Sequence, residues 1–166
     1  MGRFDGTRVL ITGAGSGMGR ITALRFVEEG ASVVGLDVNA AGLDETRSAA
    51  SDPGRLTVRV CDVSDRSACQ EAVGAAVSEF GGLDVVVNVA GVLRMNHFTE
   101  VSEAELGLIF GVNVNGTFWI GQAAMPHLLE SSGNLINIAS NAGLMGQAYC
   151  AAYCASKAAV INLTKA

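Results

Sequence analysis

Arg8-Val9-Leu10-Ile11-Thr12-Gly13-Ala14-Gly15-Ser16-Gly17-Met18-Gly19 decides the reading of this chain. Arg8 to Thr12 is a short aliphatic and β-branched run, the composition of a strand buried on both faces. From Met18 to Glu29 the pattern is helical, and Gly30 stands where a helix stops. The glycines therefore lie where a strand hands over to a helix. There they allow a sharp bend and a close approach of backbone to ligand. The helix N-terminus adds unpaired N–H groups and a positive dipole, a setting for phosphate groups. The spacing is Gly-x-x-x-Gly-x-Gly through Gly13, Gly17 and Gly19, not the commoner Gly-x-Gly-x-x-Gly. Gly13, Ser16, Gly17, Met18 and Gly19 are the turn residues expected to hold the phosphates. The bland alternative is a flexible turn without a ligand, which the folding entropy of so many glycines disfavours.

Working outward, apolar runs and helix-period stretches alternate. Strands are expected at Ala31 to Asp37, Leu56 to Val60, Val85 to Val87 and Leu135 to Ile138. Helices are expected at Asn39 to Ala50, Ser64 to Phe80 with Ser64 as N-cap, and Ser102 to Glu130 with Ser102 and Glu105 in capping-box spacing. A last helix starts at Tyr149, and Asp52-Pro53-Gly54 reads as a turn. This order implies one α/β domain over residues 1–166, a doubly wound, Rossmann-like parallel sheet of at least five strands with helices on both faces.

Composition agrees and excludes several classes. Hydrophobic residues make up 49% and charged residues 16%, a balance suited to strands covered on both sides. A net charge of -5 argues against nucleic acid or an anionic membrane as partner. No apolar run is long enough to span a bilayer, and the polar start is not read as a signal peptide. Cys61, Cys69, Cys150 and Cys154 lack disulfide-scaffold spacing, which favours a reducing, cytoplasmic setting. With no histidine near them they are not read as metal ligands.

Asp37 closes the second strand, where an acidic group can bond ribose hydroxyls and repel a 2′-phosphate. Val38, Asn39 and Ala40 bring no basic residue, so NAD is expected rather than NADP. The plainer reading of Asp37 is a charge at a helix N-terminus. Tyr153 and Lys157 are one helical turn apart and share a face. An ammonium about 4 Å from a phenolate at an effective dielectric of about 20 contributes roughly 4 kcal/mol, enough to make a phenol useful in proton transfer near neutrality. Alone, such a pair is unspecific. His97 and His127 read as solvated, and Trp119 and Phe118 as core or subunit interface.

In order along the chain stand Thr12 to Gly19, Asn88-Val89-Ala90-Gly91, Asn113, Ser140 and Tyr153-Cys154-Ala155-Ser156-Lys157. Together they resemble the short-chain dehydrogenase/reductase family along essentially the whole chain. The resemblance implies an NAD(H)-dependent oxidoreductase that interconverts a secondary alcohol and a ketone. Tyr153 matches the acid/base, and Lys157 matches the residue that tunes it and holds the nicotinamide ribose. Ser140 matches the hydrogen-bond donor to the substrate oxygen, and Asn113 the support of a proton relay to Lys157. Asn88, Ala90 and Gly91 match the stretch beside the cofactor, and Asp62 with Val63 the pair at the adenine ring. Val89 departs from the family, which usually has a second Asn there. Members usually continue beyond this length with further strands and a helical lid, so the chain reads as truncated, with its fifth strand left exposed. A homodimer or homotetramer through the Ser102 to Glu130 and Tyr153 helices is implied. Two other functions remain open: an NAD-binding module without turnover, and a 3-oxoacyl-carrier-protein reductase using NADPH.

Overall fold

Val9, Leu10 and Ile11 are completely buried, because the strand that carries them, β1 (Arg8–Thr12), runs through the middle of the sheet. The computed structural model describes residues 2–166. β1 is followed by α1 (Gly17–Glu28), β2 (Ser32–Asp37), α2 (Ala40–Ser48), a 3-10 turn at Pro53–Arg55, β3 (Leu56–Val60) and α3 (Arg66–Phe80). The second half adds β4 (Val85–Asn88), α4 (Glu103–Phe110), a π-helical stretch at Gly111–Gly116, α5 (Thr117–Ser131), β5 (Asn134–Asn137) and α6 (Ala151–Lys165). The strands form one parallel sheet in the order β3-β2-β1-β4-β5. This is the doubly wound, Rossmann-like architecture.

Period-two alternation sorts the core into two layers. Leu10 pairs in register with Val34 on one side and Val86 on the other, and this face packs on Cys69, Val73 and Ala76 of α3 and Ile120 and Ala124 of α5. Val9 pairs with Val33 and Val85, and the opposite face packs on Ala23 and Val27 of α1. Each such side chain contributes about 1.5–3 kcal/mol on leaving water. β5 is an edge strand, and Ile136 on it is exposed.

Three boundaries differ from the sequence expectations. The cap of α3 is Asp65, whose carboxylate accepts from Ser67 N at 2.7 Å and Ala68 N at 3.2 Å. Ser64 instead donates its hydroxyl to Asp62 at 2.7 Å; an anion satisfies the positive helix end better than a hydroxyl does. The long Ser102 to Glu130 helix is divided by the π-helical stretch, although Ser102 caps it as expected by accepting from Glu105 N at 3.2 Å. The last helix begins at Ala151, because Tyr149 takes a left-handed φ of 63° that cannot continue a helix backwards. Among the described residues no helix is long and apolar enough to cross a membrane.

Candidate active site

The strand order reverses between β1 and β4, and a cleft of about 480 Å³ opens at their carboxyl ends. Parallel sheets bind ligands at such a switch point. Gly13, Ser16, Gly17, Met18 and Gly19 line it. Gly13 has φ 73°, and a Cβ there would lie 2.9 Å from Ala90 N, so the turn can rest directly on the loop after β4. A Cβ on Gly19 would overlap the Gly13 carbonyl. Thr12 ties the same two segments together: its hydroxyl oxygen accepts from Val89 N and from Ala90 N, each at 3.1 Å. Val89 thus keeps the local backbone anchored through Thr12 despite lacking an amide side chain. Ser16, the N-cap of α1, makes no side-chain cap bond, so the first amides of the helix stay open to the cleft.

Asp37, Asp62 and Val63 line the other end of the cleft with Leu36, Val38, Cys61 and Ser64. Asp37 accepts from Gly15 N and from Asn39 N, both at 2.9 Å. A carboxylate has further lone pairs, so it retains acceptor capacity. Arg20 braces the turn from the opposite side, donating to Gly15 O at 2.6 Å, to Thr46 Oγ1 at 3.0 Å and to Glu45 at 2.8 Å. The bracing by Arg20 and the hydroxyl contacts of Thr12 were not read from the sequence; both depend on partners brought close only by folding.

Ala90 and Gly91 line the cleft where the phosphate turn meets the second constellation. A Cβ on Gly91 would stand 3.4 Å from Asn113 Oδ1 and 3.6 Å from Lys157 Nζ. Asn113 is fully buried inside the π-helical stretch. Its Oδ1 accepts from Val92 N at 2.7 Å, and its Nδ2 donates to Val92 O and to Ser156 Oγ, both at 3.0 Å. Ser156 in turn donates to Tyr153 O at 2.7 Å, so Asn113 is tied to helix α6. Lys157 Nζ donates to Ile138 O at 2.7 Å and lies 5.9 Å from the centre of the Tyr153 ring. Burial pushes the Lys157 ammonium below its usual value, because water is withdrawn from the charged form.

Of the expected site residues, Asn88, Asn113, Ser140, Tyr153 and Lys157 do not themselves line the cleft, and Asn113 and Lys157 approach it at Gly91. Asn88 is buried and does not line the cleft; its Nδ2 donates to Asn137 Oδ1 at 2.9 Å and joins β4 to β5. Ser140 is partly exposed just after β5, where its hydroxyl accepts from Ala142 N at 3.1 Å and caps a short 3-10 turn.

A family model described as short chain dehydrogenase matches residues 7–166. The chain is 42% identical over 165 residues to a meso-2,3-butanediol dehydrogenase of Serratia marcescens, covering 99% of this chain and 65% of the relative. It is 36% identical over 165 residues to a 3-oxoacyl-[acyl-carrier-protein] reductase of Thermotoga maritima, covering 98% and 67%. The crystal structure of an NAD+-bound xylitol dehydrogenase superposes with a TM-score of 0.93 at 32% identity, over 98% of this chain and 64% of that one. The chain therefore spans about two thirds of the length of these relatives. By sequence along nearly its whole length and by the arrangement of its sheet, the chain belongs to the short chain dehydrogenase family.

Proposed function

We propose that this chain carries the NAD-binding and proton-transferring part of an oxidoreductase acting on a secondary alcohol or its ketone. The observation that carries the reading is the meeting at Gly91 of the glycine-turn cleft with Asn113 and Lys157. The residues fit a dinucleotide. Gly17 has φ 49° and faces open space where a Cβ would stand, and the uncapped amides of α1 suit a pyrophosphate. Asp37 would hold the adenosine ribose, with Asp62 and Val63 beside the base. When bound, the nicotinamide supplies the hydride acceptor or donor. Tyr153 exchanges the hydroxyl proton of the substrate. Lys157 offsets the negative charge of the phenolate form of Tyr153, the form that takes that proton. Asn113, through Ser156, holds the backbone of Tyr153 in place. Ser140 would turn its hydroxyl from Ala142 N to the substrate oxygen.

The butanediol and xylitol relatives support an alcohol as substrate. The 3-oxoacyl-[acyl-carrier-protein] reductase relative supports a second reading, a 3-oxoacyl reductase, for which NADPH would be the donor. The Asp37 carboxylate on the cleft wall opposes a 2′-phosphate and so favours the first. The test is absorbance at the reduced-nicotinamide band with secondary alcohols, diols and 3-oxoacyl thioesters, using NAD(H) and NADP(H). Tyr153→Phe should reduce turnover at least about a hundredfold, the scale of a lost acid/base, with NADH affinity preserved. Turnover retained by that variant refutes the assignment. A preference for NADPH with thioesters would select the second reading, and NADH binding without turnover would leave a binding module.

A further inference from the structure

Behind the glycine turn stands an arginine that does not line the cleft. Arg20, at the start of α1, donates from Nη2 to Gly15 O at 2.6 Å and to Glu45 at 2.8 Å, and from Nε to Thr46 Oγ1 at 3.0 Å. Thr46, in α2, is fully buried. Its hydroxyl lies 2.8 Å from both Ala14 O and Gly42 O, which share its proton. The Ala14 carbonyl and the Gly15 N–H belong to one planar peptide unit. That N–H is given to Asp37 Oδ2 at 2.9 Å. Contacts therefore run unbroken from Arg20, through Thr46 and this peptide, to the Asp37 carboxylate.

The turn has little slack. A Cβ on Gly15 would lie 2.8 Å from Asp37 Cγ, and one on Gly42 would lie 2.5 Å from Gly15 O. The carboxylate and the backbone of α2 thus press on the turn from two sides. A guanidinium suits this place because its donors are fixed in one plane, so Nε and Nη2 set two segments at once; a lysine ammonium has no such fork. Asp37 uses its other oxygen for Asn39 N, also at 2.9 Å. The two donors together fix which way the carboxylate faces on the cleft wall.

We infer that Arg20 is a positioning residue for cofactor choice: by holding the Ala14–Gly15 peptide it keeps Asp37 in the orientation that accepts a ribose 2′-hydroxyl and repels a 2′-phosphate. The inference rests on the proposed reading of the cleft as a dinucleotide site. Without the fork the peptide can rotate, Asp37 loses one of its two fixed donors, and the carboxylate can turn from the ribose. NAD then loses an acceptor, and NADP loses part of the repulsion against it. Loss of the Arg20 charge alone would act the opposite way, since a cation attracts the added phosphate.

The test titrates NAD and NADP calorimetrically into the purified wild-type chain, Arg20→Lys, Thr46→Val, Asp37→Ala and the variant combining Arg20→Lys with Asp37→Ala. Wild type should prefer NAD. Arg20→Lys keeps the charge and should lose at least about tenfold of that preference. Thr46→Val removes the link from Nε to Ala14 O and should shift the preference in the same direction. With Asp37→Ala already present, Arg20→Lys should leave the ratio of the two affinities unchanged, because nothing remains to be positioned. A wild-type ratio in Arg20→Lys overturns the inference, even if both cofactors bind equally more weakly, which is what damage to the turn alone would give. A ratio shift of the same size in the Asp37→Ala background overturns the route through Asp37. Wild type that binds neither cofactor overturns the dinucleotide reading and this inference with it, whereas a wild-type preference for NAD that Arg20→Lys does not alter overturns this inference alone.

Discussion

Lys157 is 5% exposed, and its ammonium donates to the Ile138 carbonyl at 2.7 Å. Its folded pKa lies below its unfolded value because of burial. A group so shifted contributes its stability fully above the unfolded value, near pH 10.4, and loses it as pH falls through the depressed folded value. At neutral pH the charged form is thus held at a cost to the fold. Lys157→Met should unfold at an equal or higher urea concentration at pH 7, while turnover falls by at least about a hundredfold. A variant that unfolds earlier and keeps its turnover would reverse the role given to this residue. Tyr153 and Lys157 were legible in the sequence because residues four apart on a helix share a face. The bond of Asn113 to Ser156 was not, because it joins residues 43 positions apart. Thr12 shows the same limit: its hydroxyl is held by amides of a segment 77 and 78 residues away.

At the scale of elements, β1 and β4 are pinned at their entry by one fork. Asp84 accepts from Arg8 N at 2.8 Å, from Arg8 Nε at 2.9 Å and from Arg8 Nη2 at 2.7 Å. The Arg8 guanidinium holds the Asp84 carboxyl below its usual value. A carboxylate depressed in this way stabilises the fold above its unfolded value, near pH 3.9, and loses that stabilisation as pH falls through the folded one. Asp84→Ala should cost about 1–2 kcal/mol in urea unfolding at pH 7, since a charge-assisted bond is partly screened at this half-exposed site. The difference from wild type should shrink below about pH 3.9; an unchanged difference there would remove the ion pair from the account. The strands and α1, α2, α3 were legible to within a residue or two from periodicity and glycine stops. The π-helical stretch was not. An extra backbone residue in a helix leaves no periodicity signal, and its place is set by Asn113 bonding to Val92 and Ser156 and by Gly116 packing on Val63.

For the whole molecule, the order β3-β2-β1-β4-β5 puts β1 under cover from both faces and both flanks, while β5 keeps an open flank. Amide exchange should therefore be slowest at Val9 to Ile11, which open only on global unfolding, and at least about a hundredfold faster at Leu135 and Ile136. Equal protection in the two strands would mean that the β5 edge is covered in solution. That a parallel sheet forms, that a glycine turn follows β1, and that Asp37 closes β2 were determined by local sequence. Strand composition, glycine spacing and helix stops act over a few neighbours, and no folding is needed to read them. The tertiary structure alone decided that the cleft draws Leu36, Cys61, Leu108 and Val112 to the glycine turn, that Gly91 brings Asn113 and Lys157 to its rim, and that Asn88 serves the sheet instead. These contacts join segments far apart in the chain. Which of them meet depends on strand order and on how closely small residues let backbones pack, and neither is written in any one stretch of sequence.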